Sequence, residues 1–501
     1  MDALSIQRQT QDPITGDGST FSEVKADSDC TEGIGPQVQL PEDILHRIHA
    51  LMPMRDAAQA ACMSHAFLCS WRYYPNLILS ADSLGIKEYG SKYDEITRDF
   101  ISRVDHIMQN HSGMGVKEFK LQSYPCSTID PIIVDRWIQV AITPGIKKFE
   151  LSLFELGDIK YSFPCSFLSG VRGSSIKSLK LAGCSLRSVA KTGFMSSLTN
   201  LDFQSVDITG DELFYFLSNS CALEKISLWN CDNIICLKIP CQLQKLNMLS
   251  VLDCQTLEMI DSNAPNLSTF SYSGHQIHIS LGHASQVRKI RFHCDYSSNA
   301  FYYAITKLPL IASNLQTLSL STSDEIINIP TAFGKFLQLK NLEIMFYAAK
   351  FSQEFDFCSL ISILDASPTL ETFIFRIGVP TIRHDSITED PLGNSSHPRR
   401  RLSDCFHDNL KNVMITGFCS AKSMIELTIH IMQKTKSLEC LTLDTTRGHD
   451  RRFASIDRCL RLNEEALVEA GKAQTAIQRY IEGRVPAAVN LKVIEPCSKR
   501  L

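Results

Sequence analysis

The chain has 501 residues, 44% of them apolar and 21% charged, with 50 Lys plus Arg against 54 Asp plus Glu. That length exceeds what one hydrophobic core organises, so several domains or an array of repeats is expected. No run of about 18 apolar residues is present to cross a bilayer, and a formal charge of -4 lacks the basic field with which nucleic-acid binders attract phosphate, so neither a membrane nor nucleic acid is an expected partner.

Residues 1–36 are polar and rich in Gly, Ser and Asp, with too few large apolar groups to offset their ordering entropy, and are expected to be disordered. They hold no apolar core of signal-peptide length, which points to the nucleus or cytoplasm and to reduced cysteines. Of the 18 Cys, none forms a CxxC pair, and Cys231, Cys236 and Cys241 have no clustered histidines beside them. They read as small interior side chains, and no metal or other cofactor is expected.

At Leu40 the pattern changes to LPEDILHRIHALMPMRDAAQAACMSHAFLCSW. Pro41 suits a first helical position, Glu42 and Asp43 favour the positive end of the helix dipole, and Ile44, Leu45, Ile48, Leu51 and Met52 recur at helical spacing. Pro53 ends that helix. Asp56 can cap a second, with Ala57, Ala60, Ala61, Ser64, Leu68 and Trp71 along one side. A helical hairpin over 37–80 results, closed by a strand-like NLILS, with 81–115 read as a linker and first repeat region.

From residue 116 a second regularity sets in. VKEFKL, IKKFEL, IKSLKL, LTNLDF, LEKISL, LQKLNM, LSTFSY, VRKIRF, LQTLSL, LKNLEI, LETFIF, LKNVMI and LECLTL all fit LxxLxL, with starts at Val116, Ile146, Ile176, Leu198, Leu223, Leu243, Leu267, Val287, Leu315, Leu339, Leu370, Leu410 and Leu438. The spacing is that of leucine-rich repeats, each supplying one short strand whose alternate side chains point inward. No repeat buries its apolar side alone, so a stacked solenoid over 116–460 is expected. Only Cys184 and Cys231 occupy the ninth repeat position as Cys, and a Pro-, Gly- and charge-bearing insertion at about 378–408 interrupts the series, so the solenoid should be irregular.

The end, 461–501, reads as a cap: Asn463, Glu464 and Glu465 start a helix with Leu467, Ala470, Ala473, Ile477 and Ile481 on one stripe, and Val489, Leu491 and Val493 alternate in a last strand. The fold class is therefore α/β: a helical hairpin, an irregular leucine-rich-repeat solenoid with parallel strands on its concave face, and a helix and strand as C-terminal cap.

Residues between the inward pairs should face the concave side and offer a target-binding surface: Glu150, Lys180, Asp202, Trp229, Arg291, His293, Glu343 and Arg376, together with Ser227, Asn247, Ser319, Met345, Thr416 and Asp444. Trp229 is either an interface anchor or a side chain packed across its neighbour. No G-x-x-x-x-G-K-[ST], G-x-G-x-x-G, G-x-S-x-G or H-E-x-x-H is present, and His278, His283, His293 and Cys294 read as ordinary strand and loop positions, so no catalysis is expected.

The order LPEDILHRI, LMPMRDAA, CMSHAFLCSWR resembles an F-box of the version found in plant proteins. Together with the repeats, and with ITGFCSAKSMIELTIHIMQKTKSLECLTLDTTRG and EALVEAGKAQTAIQRYIEGRVPAAVNLKVIEPC at the end, the chain is similar to plant F-box proteins with FBD-like ends, grass members above all. The resemblance implies docking on a Skp-type adaptor, connection through it to cullin and RING subunits, and selection of a protein target by the repeats, so that the chain is a non-catalytic receptor subunit of a ubiquitin ligase. Carried over by position, the adaptor contacts are Leu40, Pro41, Ile44, Leu45, Ile48, Ala60, Cys62, Ser64 and Trp71, while His65 stands where the family often has Arg or Lys. Two alternatives stand beside this one: a repeat scaffold whose hairpin merely caps the first repeats, and a receptor whose target site a small molecule completes.

Overall fold

The computed structural model describes residues 41–86, 92–126, 129–154, 160–187, 193, 195–282, 286–294, 300–322, 334–346, 356–378, 386–387, 403–446 and 464–496. The expectations for residues 1–36, for Leu40, for Asn463 and for most of 378–408 lie outside them.

Three helices come first: α1 (Glu42–Leu51), α2 (Met54–Met63) and α3 (His65–Trp71). The expected second helix is thus two, divided at Ser64, whose backbone is extended (φ -144, ψ 129). Helix α2 starts at Met54 behind Pro53, which leaves Asp56 in the first turn, favourable to the dipole, instead of at the cap. Two further helices, α4 (Tyr93–Asn110) and α5 (Pro131–Ala141), back the first repeats. Helix α4 fills much of the segment read as a linker, and it buries Ile96, Phe100, Val104 and Met108, one per turn.

Among the described residues the main sheet holds fifteen parallel strands. Its first members are β1 (Asn76–Leu79), β2 (Glu118–Gln122), β3 (Lys148–Ser152), β5 (Ser178–Ala182) and β7 (Asn200–Gln204). β8 (Lys225–Trp229), β10 (Met248–Leu252), β12 (Thr269–Ser273), β14 (Lys289–Cys294) and β15 (Thr317–Thr322) follow. β16 (Asn341–Phe346), β17 (Thr372–Ile377), β18 (Asn412–Thr416), β19 (Cys440–Asp444) and β20 (Asn490–Ile494) complete it. All thirteen LxxLxL segments contribute a strand. The sheet nevertheless begins earlier than they do, because β1 pairs with β2 (Leu77 opposite Phe119) and so joins the stack directly.

One register differs from the reading. In LQKLNMLSVLDC the motif starts at Leu246 and not at Leu243, since Leu249 and Val251 are the buried pair and align with Ile226 and Leu228 of β8. Leu243 and Leu246 are both fully buried, so the pattern fits the sequence twice, three residues apart. The shift puts Ser250, not Asn247, on the outer face of the sheet, and it makes Cys254 the ninth residue of its repeat, next to Cys231, whose N–H donates to the Cys254 Sγ at 3.4 Å.

Behind the sheet the backing changes along the chain. Two short strands, β4 (Tyr161–Pro164) and β6 (Cys184–Arg187), pair with each other. In the middle, β9 (Cys236–Ile239), β11 (Met259–Ser262) and β13 (His278–Ser280) form a second parallel sheet behind β8, β10 and β12. The two backings meet at Gly210, first residue of the helix Gly210–Ser218, which is held by a reciprocal cap between Thr209 and Glu212. A Cβ there would stand 2.2 Å from the Cys236 carbonyl oxygen of β9. The C-terminal helix Glu464–Tyr480 buries Ala466, Ala470, Ala473, Ala476 and Ile477; Leu467, expected on that stripe, is exposed. Strand β20 pairs with β19 and ends the sheet.

Between the last repeats, His407 and His430 are buried with ring centroids 6.4 Å apart. Burial pushes both below the ordinary 6.5; Asp365 and Asp408 oppose this for His407, while His407 and Lys434 add to it for His430 against Asp365 and Asp404.

Two outcomes follow from this packing. Gly210→Ala forces a side chain into a backbone carbonyl and should cost about 1–3 kcal/mol, read as a lowered midpoint in urea; an unchanged midpoint contradicts the contact. Because burial holds both imidazoles below the ordinary 6.5 that they regain on unfolding, stability should decline as pH falls below that value and be flat above it, and His407→Gln should shallow the decline. Melting temperatures across pH 5 to 8 check this.

Candidate adaptor-docking and target-binding surfaces

The three N-terminal helices are locked by an aromatic cluster the sequence does not announce. His49, on the inner side of α1, sits with its ring centroid 5.2 Å from Phe67, 5.7 Å from Tyr74 and 6.1 Å from Trp71, and its Nε2 lies 2.8 Å from the Ala57 carbonyl oxygen. Trp71 stacks on Tyr74 at 5.2 Å. Trp71 is only 8% exposed, so among the residues expected to contact an adaptor it is a packing residue and not part of the surface. Its indole is taken up by a neighbour three positions on, a partner that a helical stripe alone cannot reveal.

The remaining expected contacts are more open. Pro41 is exposed and its carbonyl oxygen accepts from the N–H of Ile44 and Leu45 at 3.0 and 3.1 Å, starting α1. Ile44, Leu45, Ala60 and Ser64 are half-buried, while Ile48 and Cys62 are exposed. Two residues missing from the expected contacts are the most open apolar groups here: Leu51 is 86% exposed and Met63 88%. Leu68 is also exposed. Leu51 lay on the expected stripe, but periodicity marks an apolar line without saying which members face the core. His65 is exposed, with Nδ1 3.8 Å from the Cys69 Sγ.

This helical unit is built onto the repeats. The Tyr74 hydroxyl donates to the Met52 carbonyl at 2.8 Å, Asn76 Nδ2 donates to the Ala50 carbonyl at 3.3 Å, and Met54, Ala57, Trp71, Tyr74 and Leu77 belong to the same hydrophobic core as the solenoid.

On the outer face of the sheet, strand register sorts the expected target residues into rows. Lys120, Glu150, Lys180 and Asp202 are successive neighbours across β2, β3, β5 and β7. They form a ladder of ion pairs: Lys120 to Glu150 at 3.6 Å, Lys180 to Glu150 at 3.7 Å and Lys180 to Asp202 at 3.8 Å. Partial burial raises the Asp202 carboxyl above its ordinary value against the opposing pull of Lys180. Farther along, Arg376 Nε lies 2.8 Å from Glu343 Oε1, and Ser319 donates to Glu343 Oε2 at 3.3 Å. Arg291 and His293 share β14, two rows of the same face. Met345, Thr416 and Asp444, expected to be open, are buried; Asp444 Oδ1 accepts from the Thr446 N–H and hydroxyl, which folds the chain back over that end of the row.

Trp229 follows the inward Leu228 and is 46% exposed. Its indole N–H donates to Asp253 Oδ2 at 3.1 Å, while Ser273 donates to Asp253 Oδ1 at 2.6 Å. Asp253 holds this position from a left-handed backbone (φ 54) at the end of β10. The ring is therefore held by one polar bond at its edge and is otherwise about half exposed.

A long parallel sheet of stacked repeats with a helical unit at one end defines a leucine-rich-repeat protein with three helices ahead of its repeats. The At1g61320/AtMIF1 leucine-rich-repeat domain family matches residues 107–498, and the chain belongs to that family. The F-box/LRR-repeat protein At5g02910 of Arabidopsis thaliana is 24% identical over 224 residues, 44% of each chain. The probable FBD-associated F-box protein At1g32375 of the same plant is 27% identical over 201 residues, 39% of this chain and 45% of its own. F-box/LRR-repeat protein At3g58940, also from Arabidopsis, is 30% identical over 114 residues, 22% of this chain and 18% of its own. The matches thus span less than half the length of each of these relatives. By the names of these relatives, the chain is similar to F-box/leucine-rich-repeat proteins and FBD-associated F-box proteins of a plant.

Trp229→Ala removes an edge-bonded, largely open ring, so the melting temperature should fall by far less than for a core variant such as Leu228→Ala, for which a loss of about 2–5 kcal/mol is expected. Equal losses would make Trp229 a packing residue and remove it from the candidate surface.

Proposed function

We propose that this chain is the substrate-recognition subunit of a ubiquitin ligase of the Skp, cullin and F-box type, acting in the nucleus or cytoplasm. In this reading the N-terminal helices dock on a Skp-type adaptor, which brings cullin and RING subunits, and the outer face of the repeat sheet holds a protein target. The receptor supplies proximity: by holding a target near the conjugating enzyme it raises the effective concentration of acceptor lysines, with no chemistry of its own.

The observation that carries this reading is the contrast within residues 41–74. Their aromatic interior is complete without any partner, yet Leu51 and Met63 stand almost fully in water. Large apolar side chains so open on one small helical unit are available for a partner to cover. The names of the Arabidopsis relatives, which join F-box to leucine-rich repeats and to FBD segments, support the same assignment.

The test is adaptor binding by the full chain, measured by biolayer interferometry with a plant Skp-type adaptor. Burying a Leu or Met side chain is worth roughly 1.5–3 kcal/mol, so Leu51→Ser and Met63→Ser should each weaken the adaptor about tenfold or more while the melting temperature holds. Trp71→Ala should act in the opposite sense, lowering the melting temperature first. Absence of adaptor binding by the folded wild-type chain would leave a repeat scaffold and defeat the ligase reading.

A further inference from the structure

Four successive repeats leave their strands in the same way. Gly183 (φ 65), Ser205 (φ 50), Asn230 (φ 52) and Asp253 (φ 54) take left-handed backbone directly after β5, β7, β8 and β10, so the next residue of each enters the core with one common orientation. Register carried past the strand ends stacks those residues, Cys184, Val206, Cys231 and Cys254, in a single buried column. Val206 keeps Cys184 from the second thiol. Cys231 and Cys254 are direct neighbours, 0% and 2% exposed and both free, with the Cys231 N–H on the Cys254 Sγ at 3.4 Å. Neighbouring strands run about 4.8 Å apart, inside the roughly 4.4–6.8 Å between Cα atoms that a disulfide spans. As hydrogen-bond donor the Cys254 thiol holds Cys231 below its ordinary range, and the same contact, with burial, pushes Cys254 above it. One sulfur is thus prepared as the nucleophile while the other keeps its proton. On the outer face the same two repeats are joined again: Trp229, two residues before Cys231, donates to Asp253, the residue before Cys254.

We propose that Cys231 and Cys254 are an oxidative modification site, a dithiol that hydrogen peroxide closes to a disulfide between the repeats of β8 and β10, fixing the Trp229 to Asp253 contact above it. The proposal does not depend on the receptor reading, and its test needs neither adaptor nor target. In the first step the Cys231 thiolate attacks one peroxide oxygen, the O–O bond breaks, and the departing hydroxide takes up the proton that Cys231 had released. The Cys254 sulfur then attacks the sulfenic sulfur of Cys231, and the S–O bond breaks as the hydroxyl leaves with the Cys254 proton as water. Two thiols and one peroxide thus become one disulfide and two waters. Burial selects the oxidant. Sulfurs this inaccessible admit a molecule of peroxide size when the strand ends breathe, whereas glutathione disulfide reaches only exposed thiols such as Cys62, Cys221, Cys241 and Cys405. Closing a loop between consecutive repeats also removes conformational freedom from the unfolded chain, so the oxidised form is the more stable one.

The experiment treats the reduced full chain with stoichiometric hydrogen peroxide, blocks the remaining thiols with N-ethylmaleimide, and maps cross-linked tryptic peptides by mass spectrometry. Lys238 and Lys245 place the two cysteines on separate peptides, and fragmentation tells a bond at Cys231 from one at Cys236 on the same peptide. The Cys231 to Cys254 bond should be the main cross-link, the melting temperature should rise, and dithiothreitol should reverse the rise. Cys254→Val, which repeats the side chain that Val206 supplies two repeats earlier, should fold, form no such bond and show no rise. Cys241→Ser should behave as wild type. Of the three tryptophans Trp71 and Trp137 are buried, so acrylamide quenching reads Trp229; it should weaken on oxidation of the wild type and stay constant in Cys254→Val. Cross-links that run mainly through Cys236 or Cys241, or a rise in melting temperature that persists in Cys254→Val, overturn the site. Closure by glutathione disulfide as fast as by peroxide overturns the choice of oxidant, and unchanged quenching with the bond formed overturns the link to the outer face.

Discussion

Everything in this molecule depends on one repeated contact, the insertion of two apolar side chains from each strand between the matching pairs of the strands on either side. Leu179 and Leu181 align with Phe149 and Leu151 before them and with Leu201 and Phe203 after them, and all six are essentially inaccessible to water. The parallel ladder fixes the spacing at which this happens, and the stacked pairs fix the ladder. Because each repeat depends on its neighbours, the array is cooperative at short range and tolerant elsewhere. That tolerance lets helices back the early repeats and strands back the middle ones behind an unbroken fifteen-stranded sheet.

The change of backing also sets curvature. Strands stack about 4.8 Å apart, whereas packed helices need 8–10 Å. Where helices back the sheet, the back is wider than the front and the stack must bend toward the strands. Where β9, β11 and β13 back it, front and back advance by the same step. The stretch carrying β8, β10 and β12 is the one backed strand for strand, and Trp229 and Ser273 lie on it, with Asp253 at the end of β10.

The alternation of inward pairs was legible because period two is a strong signal and leucine-rich repeats hold it over many turns. It failed once, at Leu243 and Leu246, where the alternation fits two frames and only the alignment with β8 decides between them. The first strand and α4 were missed as parts of the stack for a different reason. YPNLIL fits the LxxLxL frame only with Tyr74 in the first place, where the other repeats carry Leu, Ile or Val, and the one-per-turn series Ile96, Phe100, Val104, Met108 was present in the sequence without a repeat to attach it to. The site residues were harder still. Outward positions follow from strand alternation, and Glu150, Lys180, Asp202, Trp229, Arg291 and Arg376 stand where alternation puts them. Which outward residues are covered by later chain, as Thr416 and Asp444 are, depends on a turn no local pattern encodes. In α1 to α3 the difficulty was greater, since every face of a short helix carries some apolar residue and only His49 and Tyr74 reveal which face is inside.

No spacer separates the helical unit from the sheet: Met54, Trp71, Tyr74 and Leu77 share one core, and Ile78 N–H rests against the Met54 sulfur at 3.2 Å. The molecule is in this respect a ruler, not a tether. Eight strand steps lie between β1 and β14, about 38 Å along the sheet, and that interval cannot be taken up by linker motion. Under the proposed receptor role, a lysine on a captured protein would be modified or spared according to where it falls relative to a fixed length, so that two lysines of equal chemistry on one target would have unequal fates.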